Sequence, residues 1–294
     1  MNKIKSTEGM IYSSTQKGLL YLIGGAEDRH KDTLVLKQMI ELTQPGVIVI
    51  IPTASSYPQS IERDYTDVFR KLGVQNVRCL DIRYRDEADR DENLKAVETA
   101  NLIFFGGGDQ VRLVDILHQT RLFDLIRRRF ESGRLHIAGT SAGATAAGNP
   151  MIFNGNNDGL AKGSVEYSGG FGFVDGVAID THFYARGRLS RLSQFLISGR
   201  CRKGIGLDED TGIMICPDFR FKVIGSGMVT VLNSTSVSGS NFHAVSPGDY
   251  LRFNNMRYGI LPAGSIFSIR RWSIVSRISG RDRCLSSPRQ LAAN

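Results

Sequence analysis

LLYLIGGAEDRHKDTLVLKQMIEL, residues 19–42, holds in order an apolar run, two glycines, a charged turn and a segment with helical spacing. Leu19 to Ile23 reads as a buried strand stopped by Gly24 and Gly25, and Asp32 to Leu42 as an amphipathic helix. The same order recurs downstream as Val47 to Ile51 then Ile61 to Leu72, as Val77 to Ile82 then Asp91 to Ala100, and as Leu102 to Phe105 then Val111 to Leu117. Strands alternating with helices predict an α/β fold, a mostly parallel sheet with helices on both faces.

A further helix, Leu122 to Phe130, leads into the strand Leu135 to Ala138 and then into GTSAGA at residues 139–144. Beyond Pro150 the apolar runs shorten. Gly212 to Cys216, Phe221 to Ile224, Met228 to Leu232 and Tyr250 to Phe253 are separated by Gly, Ser, Asn and Pro, which predicts additional antiparallel strands in the second half. No linker divides the halves. The expected organisation is a polar N-terminal leader (1–18), a single domain (19–272) and a basic C-terminal tail (273–294).

Composition narrows the function classes. The 294 residues are 41% hydrophobic and 22% charged, a globular balance that excludes a disordered or collagen-like chain. The net charge is +8, and residues 265–294 hold six arginines against one acid. That end lacks interleaved aromatics beyond Trp272 and any nucleic-acid motif, so it reads as a solvated terminus and no nucleic-acid partner is expected. The leader has no apolar core and the apolar runs are too short to span a bilayer, so no membrane association is expected. Cys79, Cys201, Cys216 and Cys284 form no CxxC pair, which signals neither a zinc site nor a disulfide scaffold and points to a reducing cytoplasm.

Gly139, Ser141 and Gly143 form G-x-S-x-G between a strand and a small-residue run able to start a helix, the setting of a nucleophile elbow. Small flanking residues are required because the serine sits on a tight turn and the next backbone N–H, that of Ala142, must point at a developing oxyanion. A serine nucleophile needs a general base, and the base needs an acid to orient it. Of the five histidines, His30 and His118 lie among charged helical neighbours and His136 lies inside a strand, leaving His182 and His243. His182 follows the strand-like Val177 to Ile179, a more rigid setting than the loop SNFHAVSPG around His243. Asp208, Glu209 and Asp210 in GIGLDEDT are the candidate acids. FFGGGDQ, residues 104–110, offers backbone N–H groups for an anion but lacks the lysine of a nucleotide loop. Arg186, Arg188 and Arg191 place three guanidinium groups close after His182, a density suited to substrate carboxylates.

Taken in order, YLIGGAEDR (21–29), FFGGGDQ (104–110), GTSAGA (139–144), DTHFYARGRLSRL (180–192) and GIGLDEDT (204–211) resemble the cyanophycinase family over most of residues 19–272. The resemblance implies a serine exopeptidase on a class I glutamine-amidotransferase-like α/β fold. Its implied substrate is cyanophycin, a poly-aspartate carrying arginine on each β-carboxyl, cut at α-peptide bonds to release β-aspartyl-arginine. It places the nucleophile on Ser141, the base on His182 and the acid on Glu209, with oxyanion donors at Ala142 and Gly108. Substrate contacts fall on Gln110, Asp180, Thr181, Arg186, Arg188 and Arg191. It also implies a homodimer, and neither a metal nor an organic cofactor. Thr181 departs from the family pattern, which has glutamine there; a shorter hydroxyl implies a wider pocket or a different β-substituent. Related α-aspartyl dipeptidases share the elbow, and a non-catalytic polymer-binding relative would share the fold.

Overall fold

A computed structural model of the chain describes residues 17–155 and 160–276. Through the first half, strands and helices alternate: β1 (Leu20–Ile23), α1 (Leu34–Thr43), β2 (Val47–Ile51), α2 (Pro58–Lys71), β3 (Asn76–Cys79), α3 (Arg85–Ala88), α4 (Asp91–Thr99), β4 (Leu102–Phe105), α5 (Gln110–Leu117), α6 (Arg121–Glu131), β5 (His136–Thr140) and α7 (Ala142–Ala146). Strands dominate the second half: β6 (Gly148–Asn149), β7 (Met151–Gly155), β8 (Val165–Ser168), β9 (Val174–Asp175), β10 (Val177–Asp180), α8 (Leu189–Ile197), β11 (Lys203–Leu207), β12 (Thr211–Ile215), β13 (Arg220–Gly225), β14 (Met228–Asn233), β15 (Arg257–Pro262), β16 (Ile266–Ser268) and β17 (Ser273–Ile274).

The main sheet has nine strands in the order β17-β16-β13-β12-β1-β5-β4-β2-β3. Strands β1, β5, β4, β2 and β3 run parallel, and β12 adds antiparallel to β1, followed by β13, β16 and β17. Because side chains alternate across a strand, Tyr21 and Ile23 enter one core with Leu36 and Met39 of α1 and Phe69 of α2. Leu20 and Leu22 enter the other, with Leu113 of α5 and Phe123 and Ile126 of α6.

The second face is only partly helical. That core also takes Ile205 and Leu207 of β11 and Val229 and Val231 of β14. These strands belong to a six-stranded sheet in the order β15-β14-β11-β10-β6-β9, which shares this face with the helices. The predicted antiparallel strands are present, with two differences. Tyr250 to Phe253 is not a strand: Leu251 is buried and its N–H donates to the Leu160 carbonyl, but Tyr250 is 77% exposed, so a single apolar side chain anchors the segment. At the C-terminus β17 extends the sheet past the expected boundary at residue 272. Most of the leader (1–18) and of the basic tail (273–294) lies outside the described residues.

Cys216 is disulfide-bonded, while Cys79 and Cys201 are free. No helix among the described residues is long and apolar enough to cross a membrane.

Candidate active site

The carboxyl ends of β1, β5, β10 and β11 converge on one point, as open α/β sheets place their sites at strand ends. Strand β5 ends at Thr140, and Ser141 follows with φ 50° and ψ −110° before α7 begins. A non-glycine residue rarely adopts that backbone conformation, and holding it costs on the order of 1–3 kcal/mol. The surroundings fix it: the Ser141 N–H donates to the Ile23 carbonyl of β1 at 3.0 Å, and the Ser141 carbonyl accepts from Thr145 N–H at 2.9 Å. Both glycines of the motif are required by contact. A Cβ on Gly139 would lie 2.5 Å from the Gly143 backbone, and one on Gly143 would lie 2.5 Å from the Phe105 carbonyl oxygen.

His182 follows β10, and its N–H donates to the Gly24 carbonyl at 2.9 Å. Its imidazole packs against Gly25, where an added Cβ would lie 2.4 Å from the ring. Ser141 Oγ lies 2.9 Å from His182 Nε2, and His182 Nδ1 lies 2.7 Å from Glu209 Oε1. A carboxylate only accepts, so Nδ1–H donates to Glu209 and Nε2 is left to accept the Ser141 hydroxyl proton. Burial pushes the His182 imidazole below its ordinary value; the Glu209 carboxylate pulls it up, and Arg186 and Arg188 push it down again. The ring is therefore neutral, and able to act as a base, at pH 7.

Glu209 sits in the turn between β11 and β12, and Asp210 beside it is committed elsewhere. Asp210 donates its N–H to the Gly25 carbonyl, while its carboxylate accepts from Asp28 N–H and Ser226 Oγ. His243 is exposed on a cavity of about 630 Å³ lined by Lys162, Tyr167, Phe195 and Arg200, and none of Ser141, His182 or Glu209 lines it. The structure thus brings His182, and not His243, to Ser141.

The glycine loop passes beside the serine, with a Cβ position on Gly107 lying 3.4 Å from Ser141 Cβ. Gly108 has φ +139° and packs on Ala54, whose carbonyl accepts from Asp109 N–H at 2.9 Å. Gln110 opens α5, and its amide Nε2 donates to the Ile152 carbonyl at 3.0 Å.

The expected substrate contacts divide. Asp180 is 0% exposed and Arg191 4% exposed, and they bind each other: Arg191 Nε donates to Asp180 Oδ2 at 3.1 Å, and Arg191 Nη2 donates to Asp180 Oδ1. Asp180 also accepts from Arg188 Nη1 at 3.3 Å and from Thr181 N–H at 3.0 Å. Asp180 and Arg191, both expected to touch substrate, each satisfy the other in the interior. Removing one partner of such a pair costs about 3–5 kcal/mol, since it strands the other charge. Thr181 is 3% exposed with its hydroxyl 3.4 Å from that of Thr145 on α7, so it too faces protein. Arg188 is half-buried, donating to the Thr181 carbonyl at 2.7 Å, and burial lowers its pKa to about 10. Arg186 is exposed beside it. Among the described residues no group of three or more His, Cys, Asp or Glu side chains gathers to hold a metal.

An α/β sheet whose strand ends align serine, histidine and glutamate in one hydrogen-bonded row has the architecture of a serine hydrolase. More particularly, the chain belongs to peptidase family S51, whose sequence profile matches residues 20–221. It is 35% identical over 260 residues to a cyanophycinase of Synechococcus elongatus, covering 87% of this chain and 81% of that protein. It is 33% identical over 277 residues to a cyanophycinase of Trichormus variabilis, covering 93% of each. The crystal structure of a peptidase from an acI-B1 Actinobacterium shares the fold, with a TM-score of 0.67 and 23% identity over 88% of this chain and all of that one.

Proposed function

We propose that the chain is a serine exopeptidase that hydrolyses α-peptide bonds of cyanophycin and releases β-aspartyl-arginine. The observation that carries this reading is the unbroken row from Ser141 Oγ through His182 to Glu209 Oε1, in a chain of this family. Relatives named cyanophycinase support the choice of substrate. Ser141 Oγ attacks the carbonyl carbon while His182 Nε2 takes the hydroxyl proton, and Glu209 stabilises the resulting imidazolium. Backbone N–H groups of Ala142 and Gly108 hold the oxyanion. His182 then gives its proton to the departing amine, and in the second half it activates the water that hydrolyses the ester. Arg186 and the open edge of Arg188 bind substrate carboxylates, Gln110 contributes from α5, and the buried Asp180–Arg191 pair holds Arg188 in place. A homodimer and a cytoplasmic location complete the proposal on sequence grounds.

Incubating purified protein with insoluble cyanophycin is expected to release soluble β-aspartyl-arginine, identified by mass spectrometry. An untouched polymer together with cleaved Asp-X dipeptides would make the chain an α-aspartyl dipeptidase, and polymer bound without product would make it a binding relative.

The pH dependence is set by the base. His182 must be neutral to accept the proton, and burial holds its pKa below the ordinary imidazole value of about 6.5. The acid limb of kcat/KM is therefore expected to have its midpoint below pH 6.5, with activity full above it and lost as the ring protonates. A midpoint above 7 would show that the Glu209 carboxylate outweighs burial.

A further inference from the structure

The sequence GGAEDR contains a buried acid that has no part in the proton transfers of the triad. Glu27 is 4% exposed, lying in the β1–α1 loop beneath the elbow. Its Oε2 accepts from Thr140 Oγ1 at 2.7 Å and its Oε1 accepts from the Tyr65 hydroxyl of α2. Burial and the nearby carboxylate push the Tyr65 phenol well above its ordinary range, so the phenol stays protonated and donates. Thr140 is the residue directly before Ser141, and its own side chain is buried. The loop that carries Glu27 also carries the anchors of the other two partners. The Gly24 carbonyl accepts from His182 N–H, the Gly25 carbonyl accepts from Asp210 N–H, and Asp28 N–H donates to the Asp210 carboxylate.

We propose that Glu27 is a positioning residue that locks the nucleophile elbow to the loop holding the histidine and acid, and so sets the Ser141–His182 separation. This deepens the reading of Ser141 as nucleophile and rests on it. Three segments far apart in sequence meet at this loop: the elbow through Thr140, the base through Gly24 and the acid turn through Gly25. Backbone bonds hold the last two. Strand β5 is paired with β1 as far as Thr140, with the Ser141 N–H bond to the Ile23 carbonyl just beyond, and Glu27 adds a side-chain tie at the Thr140 hydroxyl. Ser141 occupies a strained conformation, and without the side-chain tie the end of β5 can relax and carry Oγ away from Nε2. Misplacing reacting groups by an ångström costs about a hundredfold in rate.

The test is the second-order rate of Ser141 labelling by a fluorophosphonate, which reads nucleophile activation without the polymer, together with kcat, KM and Tm. Thr140→Val removes the hydroxyl at nearly constant shape and is expected to slow labelling and kcat by the same factor, about ten- to a hundredfold, with KM unchanged. Glu27→Met is expected to do likewise, and the Glu27→Met/Thr140→Val double variant to be no slower than the worse single one, because both remove one tie. Glu27→Gln, which keeps an acceptor for Thr140, is expected to restore most of the rate. A merely structural acid would lower Tm and leave the rate per folded molecule intact. Labelling of Thr140→Val and Glu27→Met within twofold of an active wild type would overturn the proposal. A wild type that takes no label would overturn the reading of Ser141 first, and this inference with it.

Discussion

Ser141→Ala is expected to lower kcat by about 10⁴- to 10⁶-fold while leaving the fold intact. The magnitude reflects what the side chain does: without Oγ no acyl-enzyme forms, and only binding and the oxyanion donors remain to assist direct attack by water. The fold survives because the ties that hold residue 141 are backbone bonds, to Ile23 and Thr145, which alanine keeps. The backbone strain at φ 50° is the same for alanine as for serine, so Tm is expected to shift little. Removing His182 as well is expected to add almost nothing, since a base with no hydroxyl to deprotonate has no further role. His243→Ala, on the exposed cavity wall, is expected to match wild type. Product release and thermal unfolding of these variants, measured side by side, check each point. Turnover by Ser141→Ala within tenfold of wild type would remove the serine from the chemistry.

How far the sequence can be read depends on where each element is buried. Strands β2 and β4 match the apolar runs Val47 to Ile51 and Leu102 to Phe105 residue for residue, because both faces of these strands lie in core and every position must be apolar. The opposite holds at the sheet edge. Strand β15 (Arg257–Pro262) exposes Tyr258 and Ile260 and pairs on one side only, with β14, so its residues carry neither a run nor a clean alternation. Strands β6 and β9 are two residues each, held by neighbours rather than by their own pattern. The packing of a six-stranded sheet beside the helices on one face is illegible for the same reason: apolar residues report that they are buried, not what buries them.

The site divides along a similar line. Residue types demanded by chemistry or by close contact stand out, as in the glycines flanking Ser141 and the acids of GIGLDEDT. Pairings do not. Asp180 and Arg191 are eleven positions apart, on a strand end and a helix, and each alone looks like a group awaiting substrate. Only their mutual burial shows that the pair is internal, with Arg188 half-buried against it and Arg186 exposed beyond. Glu27 is hidden in the same way, since one acid among the charges of AEDRHKD gives no sign that it points inward.

Gly25→Ala is expected to lose about a hundredfold in kcat through a contact the active groups do not themselves make. Gly25 has φ +96°, and a Cβ there would lie 2.4 Å from Cε1 and Nε2 of His182. Nε2 is the atom facing the Ser141 hydroxyl, so the methyl displaces the base at the point of proton transfer. The ring has little room to yield, because Nδ1 is held by Glu209 and the His182 N–H by Gly24. Backbone strain must be separated from this displacement, and Gly73 supplies the comparison. Its φ is +97° and nothing lies within 4 Å of its Cβ position, in the turn between α2 and β3. Each substitution should cost about 1–2 kcal/mol of stability for forcing alanine into the left-handed region. Gly73→Ala should then lower Tm with wild-type turnover per folded molecule, whereas Gly25→Ala lowers both. Fluorophosphonate labelling should fall with kcat in Gly25→Ala, since both need the base in place. Equal activity in the two variants would mean that the imidazole finds another position from which to reach Ser141, and that the glycine at the end of β1 serves only the turn.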